Sequence, residues 1–212
     1  LKKNIINQTV IVTGAGGSIG SQLCKEILRI KPNKLLILDS NEYALYKLLN
    51  KLNTINKIED IEIIPIICSI QDKKNINLIF KTWLPNTVYH AAAYKHVPIV
   101  EYNLSEGLKN NVYGTLNLAK ASLETKVQNF VFISTDKAVR PTNVMGASKR
   151  LCELCLQALY ANQKYKDTKF SMVRFGNVLD SSGSVIPRFR KQIKERSPIT
   201  LTHPEISRYF MT

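Results

Sequence analysis

A chain of 212 residues that is 44% hydrophobic can bury a substantial core, which excludes a disordered polymer and reads as one domain with room for an appended lobe. Its formal net charge of +14 is carried by lysines scattered among Asn and Ile, as in Lys31-Pro32-Asn33-Lys34, with no clustered basic arm. The charge therefore reads as a solvated surface, and no nucleic-acid partner is expected.

No apolar run approaches the ~20 residues that span a bilayer, and Leu1-Lys2-Lys3-Asn4 lacks a secretory h-region. The chain starts without Met and stops at Phe210-Met211-Thr212 without a breaker, so it is expected to be a segment of something longer. Four cysteines suggest a reducing compartment. Cys152-Glu153-Leu154-Cys155 falls mid-helix with no second pair, which favours helix packing over metal or redox chemistry, and no metal site is expected.

Thr9-Val10-Ile11-Val12 is a β-branched strand, followed by Thr13-Gly14-Ala15-Gly16-Gly17-Ser18-Ile19-Gly20 and an amphipathic helix through Ile30. Strand, glycine turn and helix in that order form a dinucleotide site. Gly14 permits the turn, Gly17 lets backbone approach a pyrophosphate, Gly20 allows close helix packing, and the phosphates meet the helix N-terminus around Ser18 and Ile19. A second strand, Lys34 to Leu38, ends in Asp39 about twenty residues after the last glycine, the place of an acid on the adenosine ribose. Asp39 would repel a 2′-phosphate, and no Arg follows it in Ser40-Asn41-Glu42. NAD is therefore expected rather than NADP.

Ile61 to Ile67 is a third strand, with Cys68 to Asp72, including Ser69 and Ile70, beside the adenine. Thr87-Val88-Tyr89 opens into His90-Ala91-Ala92-Ala93-Tyr94-Lys95-His96. Three alanines at a strand end suit a cofactor lying close to backbone. His90 and His96 read as hydrogen-bonded structural histidines, because no ligand cluster accompanies them. Asn110 to Thr115 starts a helix leading through Val127 to a fifth strand, Phe130 to Ile133, which presents Ser134, Thr135, Asp136 and Lys137 at its carboxyl edge, where ligands bind in open α/β sheets. A long helix, Ala147 to Ala161, and a sixth strand, Phe170 to Val173, follow. The alternation predicts an α/β fold with a doubly wound parallel sheet. Residues 1–173 would form the NAD-binding domain. From Arg174 the texture changes through Asn177, Ser181-Ser182-Gly183-Ser184 and the basic Pro187-Arg188-Phe189-Arg190-Lys191, so 174–212 would begin a substrate lobe that is incomplete here.

The glycine turn, the alanine strand end, Asn111, Ser134 and Lys149 together resemble the extended short-chain dehydrogenase/reductases. In that superfamily a tyrosine stands four residues before the lysine; here it is Met145, whose thioether cannot titrate. The strings His90 to Pro98, Ser134 to Gly146 and His203 to Thr212 resemble more narrowly the bacterial polysaccharide-biosynthesis nucleotide-sugar 4,6-dehydratases. Met145 is similar to their large branch, in which the catalytic domain follows membrane helices. One residue departs from the pattern, since Asp180 stands where the family has glycine.

The resemblance implies NAD-dependent dehydration of a UDP-N-acetylhexosamine, with UDP-GlcNAc the expected substrate, for surface polysaccharide or glycan synthesis. Thr135 would orient O4, Asp136 would be the acid for water loss, Lys137 the base at C5, and Lys149 would hold the nicotinamide ribose, with Met145 beside them. The proton acceptor for the C4 hydroxyl is left open among a water, Asp136 and Thr135. Cofactor contacts are expected at Gly14, Gly17, Ser18, Ile19, Gly20, Asp39, Ser69, Ile70, Ala91, Ala92, Ala93, Lys95, Asn111, Ser134 and Lys149. Substrate contacts are expected at Lys95, Asn177, Val185, Arg188 and Arg208. The full-length protein would be a homo-oligomer tethered to the cytoplasmic face of the inner membrane. A nucleotide-sugar epimerase or a non-catalytic nucleotide-binding member are the alternatives.

Overall fold

Strand and helix alternate from β1 (Thr9–Thr13) and α1 (Ser18–Arg29) through β2 (Lys34–Asp39), α2 (Glu42–Ile55), β3 (Glu62–Ile67), α3 (Lys73–Trp83) and β4 (Thr87–His90) in a computed structural model. The structure describes residues 2–55, 61–162, 167–179, 185–200, 205 and 210–211. After β4 come two short helices, α4 (Val97–Tyr102) and α5 (Leu104–Leu108), a π-turn (Lys109–Tyr113) and α6 (Gly114–Glu124). Next are β5 (Asn129–Thr135), a 3₁₀ turn (Asp136–Ala138), α7 (Val144–Ala161) and β6 (Lys169–Phe175). The short β7 (Asn177–Val178), α8 (Val185–Lys194) and β8 (Phe210–Met211) complete the described elements.

The six long strands pair in parallel in the order β3-β2-β1-β4-β5-β6. This is the doubly wound, Rossmann-type order, with its switch point between β1 and β4. The central strands are buried on both faces, which explains why they read as unbroken apolar runs. Side-chain alternation splits them into two cores. Ile11, Leu36, Val88, Phe130 and Phe132 pack with Phe80, Leu118, Cys152 and Leu156 on one face. Val10, Val12, Leu35 and Ile37 pack with Cys24, Ile27, Leu45 and Leu52 on the other. Pro65, which lacks a ladder N–H, falls on β3, and that strand pairs with β2 at the sheet edge, where proline is tolerated.

Three α-helix starts are fixed by side-chain caps: Asn41 accepts from the Ala44 amide at 3.0 Å, Asp72 from the Asn75 amide at 3.0 Å and Asn143 from the Gly146 amide at 2.8 Å. The expected helix from Asn110 opens as a π-turn and continues as α6, which ends at Glu124, and the chain then leads through Val127 to β5. All four cysteines are free thiols. Among the described residues no helix is long and apolar enough to cross a membrane.

Candidate active site

The glycine turn and the end of β4 are built against each other. Gly14 has φ +67°, and a Cβ there would sit 2.5 Å from the Ala92 backbone nitrogen, so position 14 tolerates no side chain. Ala91, Ala92 and Ala93 follow at that strand end and line the cleft beside it. Gly17 is the N-cap of the twelve-residue α1 and puts Ser18, Ile19 and Gly20 in its first turn, where the helix dipole and the direction of the backbone N–H groups favour an anion. Asp39 ends β2, accepting the Gly16 amide on Oδ2 at 2.9 Å and the Asn41 amide on Oδ1 at 3.0 Å.

A cleft runs from this turn past Asp39, Ser40, Cys68, Ser69 and Ile70 to Ala91, Ala92, Ala93, Tyr94 and Asn110. Ser69 Oγ accepts the Gln71 amide, and the Asn117 side-chain amide donates to the Ile70 and Gln71 carbonyls. A helix N-terminus, a carboxylate one strand over and a side-chain-poor wall fit a dinucleotide's diphosphate, ribose and backbone-hugging middle.

His90 is fully buried between Thr13 Oγ1, 2.7 Å from Nδ1, and Thr115 Oγ1, 2.9 Å from Nε2. Because the Thr115 hydroxyl donates to the Asn111 carbonyl, it accepts from Nε2–H, and Nδ1 accepts from Thr13. Burial and then the Lys149 charge push His90 well below the usual imidazole range. It is a neutral structural group. His96 differs from expectation. It is exposed at the N-cap position of α4 with no side-chain cap bond, and its ring has no hydrogen-bond partner among the described residues.

At the β5 edge, Thr135 Oγ1 donates to Asp136 Oδ1 at 3.0 Å and accepts the Lys137 amide at 3.3 Å, while Lys137 Nζ lies 3.1 Å from the same Asp136 oxygen. Partial burial raises the Asp136 pKa, but hydrogen bonds from Lys137 and Thr135 and the Lys137 charge outweigh it, leaving the carboxyl below its ordinary value. In the unliganded protein Asp136 is therefore ionised, whereas an acid role requires it to acquire a proton first.

Met145 is buried in the first turn of α7, and a Cβ on its neighbour Gly146 would overlap the Lys137 carbonyl. The helix start and the Thr135–Lys137 edge are thereby locked together. Lys149, one turn further, is 5% exposed, with Nζ 4.0 Å over the Phe132 ring. Among the described residues its ammonium has no hydrogen-bond or ion-pair partner. Burial lowers its pKa to about 8, against smaller opposing contributions from Cys152 and Glu153.

Asn111 sits in the π-turn, a distortion common at functional sites. Its side chain accepts from the Tyr94 amide at 2.8 Å and from Asn110 at 3.1 Å, and donates to the Tyr94 carbonyl at 3.1 Å and to Ser148 Oγ at 3.0 Å. That full set makes it the brace of the 91–95 segment, on which Lys95 is exposed. The Ser134 hydroxyl is likewise committed, donating to Glu153 Oε1 at 2.7 Å. Asn177 lies on β7, Val185 opens α8, and exposed Arg188 donates to Thr200 Oγ1 at 3.2 Å; none of the three lines the cleft. Arg208, Asp180 and the turn 181–184 lie outside the described residues.

Sequence reasoning missed Asn117, Ser148, Glu153 and Arg174. For Glu153 a signal existed: it stands four residues after Lys149, on the same helix face.

The model of the polysaccharide biosynthesis protein family matches residues 10–212. The capsular polysaccharide biosynthesis protein CapD of Staphylococcus aureus is 47% identical over 212 residues, covering all of this chain and 35% of the relative. The UDP-N-acetylglucosamine 4,6-dehydratase (inverting) of Campylobacter jejuni is 33% identical over 207 residues, covering 97% of this chain and 60% of the relative. Among solved structures, Pen from Bacillus thuringiensis superposes with a TM-score of 0.88 at 34% identity, covering 98% of this chain and 64% of that one. A Thermus thermophilus UDP-glucose 4-epimerase in complex with NAD shares the fold at 24% identity and a TM-score of 0.78, over 95% of this chain and 70% of that one. The chain spans about a third to three fifths of the length of the curated relatives it matches. With its 3-2-1-4-5-6 sheet, glycine turn and Lys149 helix, the chain belongs to the polysaccharide biosynthesis protein family of extended short-chain dehydrogenase/reductases.

Proposed function

We propose that the chain is the catalytic core of an NAD-dependent 4,6-dehydratase acting on a UDP-N-acetylhexosamine, with UDP-GlcNAc the first candidate. The observation that carries this reading is the Thr135-Asp136-Lys137 array, hydrogen-bonded in series at the carboxyl edge of β5, in a chain whose helix supplies Lys149 but Met145 in place of a titratable phenol.

NAD, held by the glycine turn, Asp39 and the Ala91–Ala93 wall, supplies a reversible hydride acceptor. Every proton step can be assigned to this chain. The sugar O4–H donates to Thr135 Oγ1 as the threonine proton passes to ionised Asp136, so the carboxylate ends protonated and no tyrosine is needed. Asp136 then gives that proton to the departing C6 hydroxyl, which leaves as water. Lys137, entering the cycle as the free amine after its ammonium proton has passed to solvent, takes the C5 proton and later returns it. The O4 proton leaves in the water, and Asp136 finishes ionised, as it began.

Lys149 would hold the nicotinamide ribose. Lys95, Asn177, Val185, Arg188 and Arg208 are proposed for the sugar nucleotide, with 174–212 the start of its lobe. The full-length protein is proposed to be a homo-oligomer. The proposed membrane tether, on the cytoplasmic face, would lie outside this segment. Mass analysis after mixing the full-length protein with UDP-GlcNAc tests the reading. A product one water lighter without net NADH supports it; unchanged mass with an altered sugar indicates an epimerase, and steady NADH accumulation a net dehydrogenase.

A further inference from the structure

Glu153 takes no part in the chemistry above, yet its side chain is 2% exposed and accepts four hydrogen bonds. Ser134 Oγ donates at 2.7 Å, Arg150 Nη1 at 3.0 Å, and Arg174 donates twice, from Nε at 2.9 Å and Nη2 at 2.7 Å. Ser134 and Arg174 are direct partners in the β5–β6 register. One carboxylate on α7 thus grips both strands a single residue before Thr135 and Phe175. Burial alone would raise its pKa; the bonds from Arg174, Ser134 and Arg150 outweigh burial and hold it at about 2, so it is ionised throughout the working range. A buried ion cluster is a weak stability device, because desolvation offsets most of its attraction. Its position invites another explanation.

Lys149 Nζ lies over the Phe132 ring of β5, and Glu153 stands four residues further along α7, on the same helix face. The charge on Lys149 acts on His90 of β4, and Cys152 and Glu153 of α7 act on Lys149. His90 is neutral. The Cys152 thiol is pushed up by burial and is uncharged near pH 8. Among these groups of the described residues Glu153 is the negative charge, and it is itself bonded to the Arg150 and Arg174 guanidiniums.

We propose that Glu153 is a positioning residue that ties Ser134 and Arg174 to α7 and thereby sets both the placement and the charge of Lys149 relative to the Thr135–Lys137 edge. The proposal rests on Lys149 being the cofactor's lysine, as read above. It makes two substitutions act in opposite directions. Glu153→Gln keeps the shape and removes the anion, so the Lys149 proton is lost at lower pH. Arg174→Gln keeps the anion and removes an opposing cation, so the proton is held to higher pH; Arg174 is 42% exposed, and Ser134 and Arg150 still donate to the carboxylate in that variant.

The test is NADH binding to the full-length protein, followed by fluorescence from neutral to alkaline pH, beside the pH profile of kcat. Wild-type affinity should fall as pH rises through about 8. Glu153→Gln should move that midpoint down by about half a pH unit to one unit, and Arg174→Gln should move it up. A merely structural role would lower the melting temperature of both variants and leave the midpoints in place. Coincident midpoints, or shifts in the same direction, overturn the proposal. Split midpoints in a protein that releases no dehydrated sugar would leave the clamp standing and reject the dehydratase; dehydration with coincident midpoints would reject the clamp alone.

Discussion

Replacing Lys149 with methionine should make the unliganded protein more stable while abolishing turnover. The ammonium is buried without a hydrogen-bond partner among the described residues, and its pKa falls from 10.5 to about 8, burial being the largest cause. At 1.36 kcal/mol per pH unit, holding the charge in the folded state costs about 3 kcal/mol. The Phe132 face, 4.0 Å away, offsets about 1 kcal/mol of that. Methionine is unbranched and similar in length to the lysine stem, so it fills the same channel without a cavity. The folded state binds this proton less tightly than the unfolded chain does. Its destabilising effect is therefore fully present below about pH 8, fades between about 8 and 10.5, and vanishes above, where both states hold the neutral amine. Denaturant unfolding of the full-length protein should find Lys149→Met more stable by about 2 kcal/mol at neutral pH, with the gap closing toward pH 10.5. NADH should stabilise the wild type more than the variant. A variant less stable at neutral pH, or a gap that ignores pH, would refute this account of Lys149.

Two further predictions concern the cleft. Gly14→Ala forces a positive φ on a side chain whose Cβ would meet the Ala92 backbone at 2.5 Å; the strain alone is about 1–2 kcal/mol, and NADH affinity measured by titration should drop at least about tenfold. Asp39→Asn keeps an acceptor for the Gly16 amide but removes the charge expected to repel a 2′-phosphate. The ratio of NADH to NADPH affinities should shrink by about tenfold, and an unchanged ratio would show that Asp39 does not face the ribose.

The centre of the sheet was legible because its inner strands are buried on both faces and carry almost nothing but apolar side chains, as in Val10-Ile11-Val12 and Leu35-Leu36-Ile37-Leu38. The cleft was legible because Gly14 is demanded by one close approach to the Ala91–Ala92 backbone, and such contacts leave glycine at fixed places. What stayed hidden is tertiary. Ser134, Glu153 and Arg174 belong to two strands and a helix, and only folding brings the three to one point. The Asn111 π-turn has no residue signature; its amide turned out to brace Tyr94 and Ser148. The ionised state of Asp136 follows from bonds made by Thr135 and Lys137 and could not be read from residue types. His96 misled because a histidine at a strand end resembles its buried neighbour His90 until the exposure of each is known.

The series bond from Thr135 to Asp136 makes the absence of a phenol at position 145 testable. If the O4 proton travels through Thr135 to Asp136, then Asp136 is needed before hydride leaves C4, and not only when water departs. Asp136→Asn should therefore suppress the first half-reaction itself. In a single turnover, the near-ultraviolet absorbance of reduced nicotinamide that follows sugar addition should vanish with the product. Were Asp136 only the acid for the C6 hydroxyl, the same variant would build up that absorbance and stall there. Thr135→Val, which removes the intermediate hydroxyl but keeps the shape, should lower kcat by about 10²–10⁴-fold, the usual range for losing a general acid–base path. Thr135→Ser should recover most of the rate. Met145→Tyr should add nothing, because the proton already has a route. Reduced nicotinamide accumulating in Asp136→Asn, or a gain of rate in Met145→Tyr, would show that O4 loses its proton elsewhere.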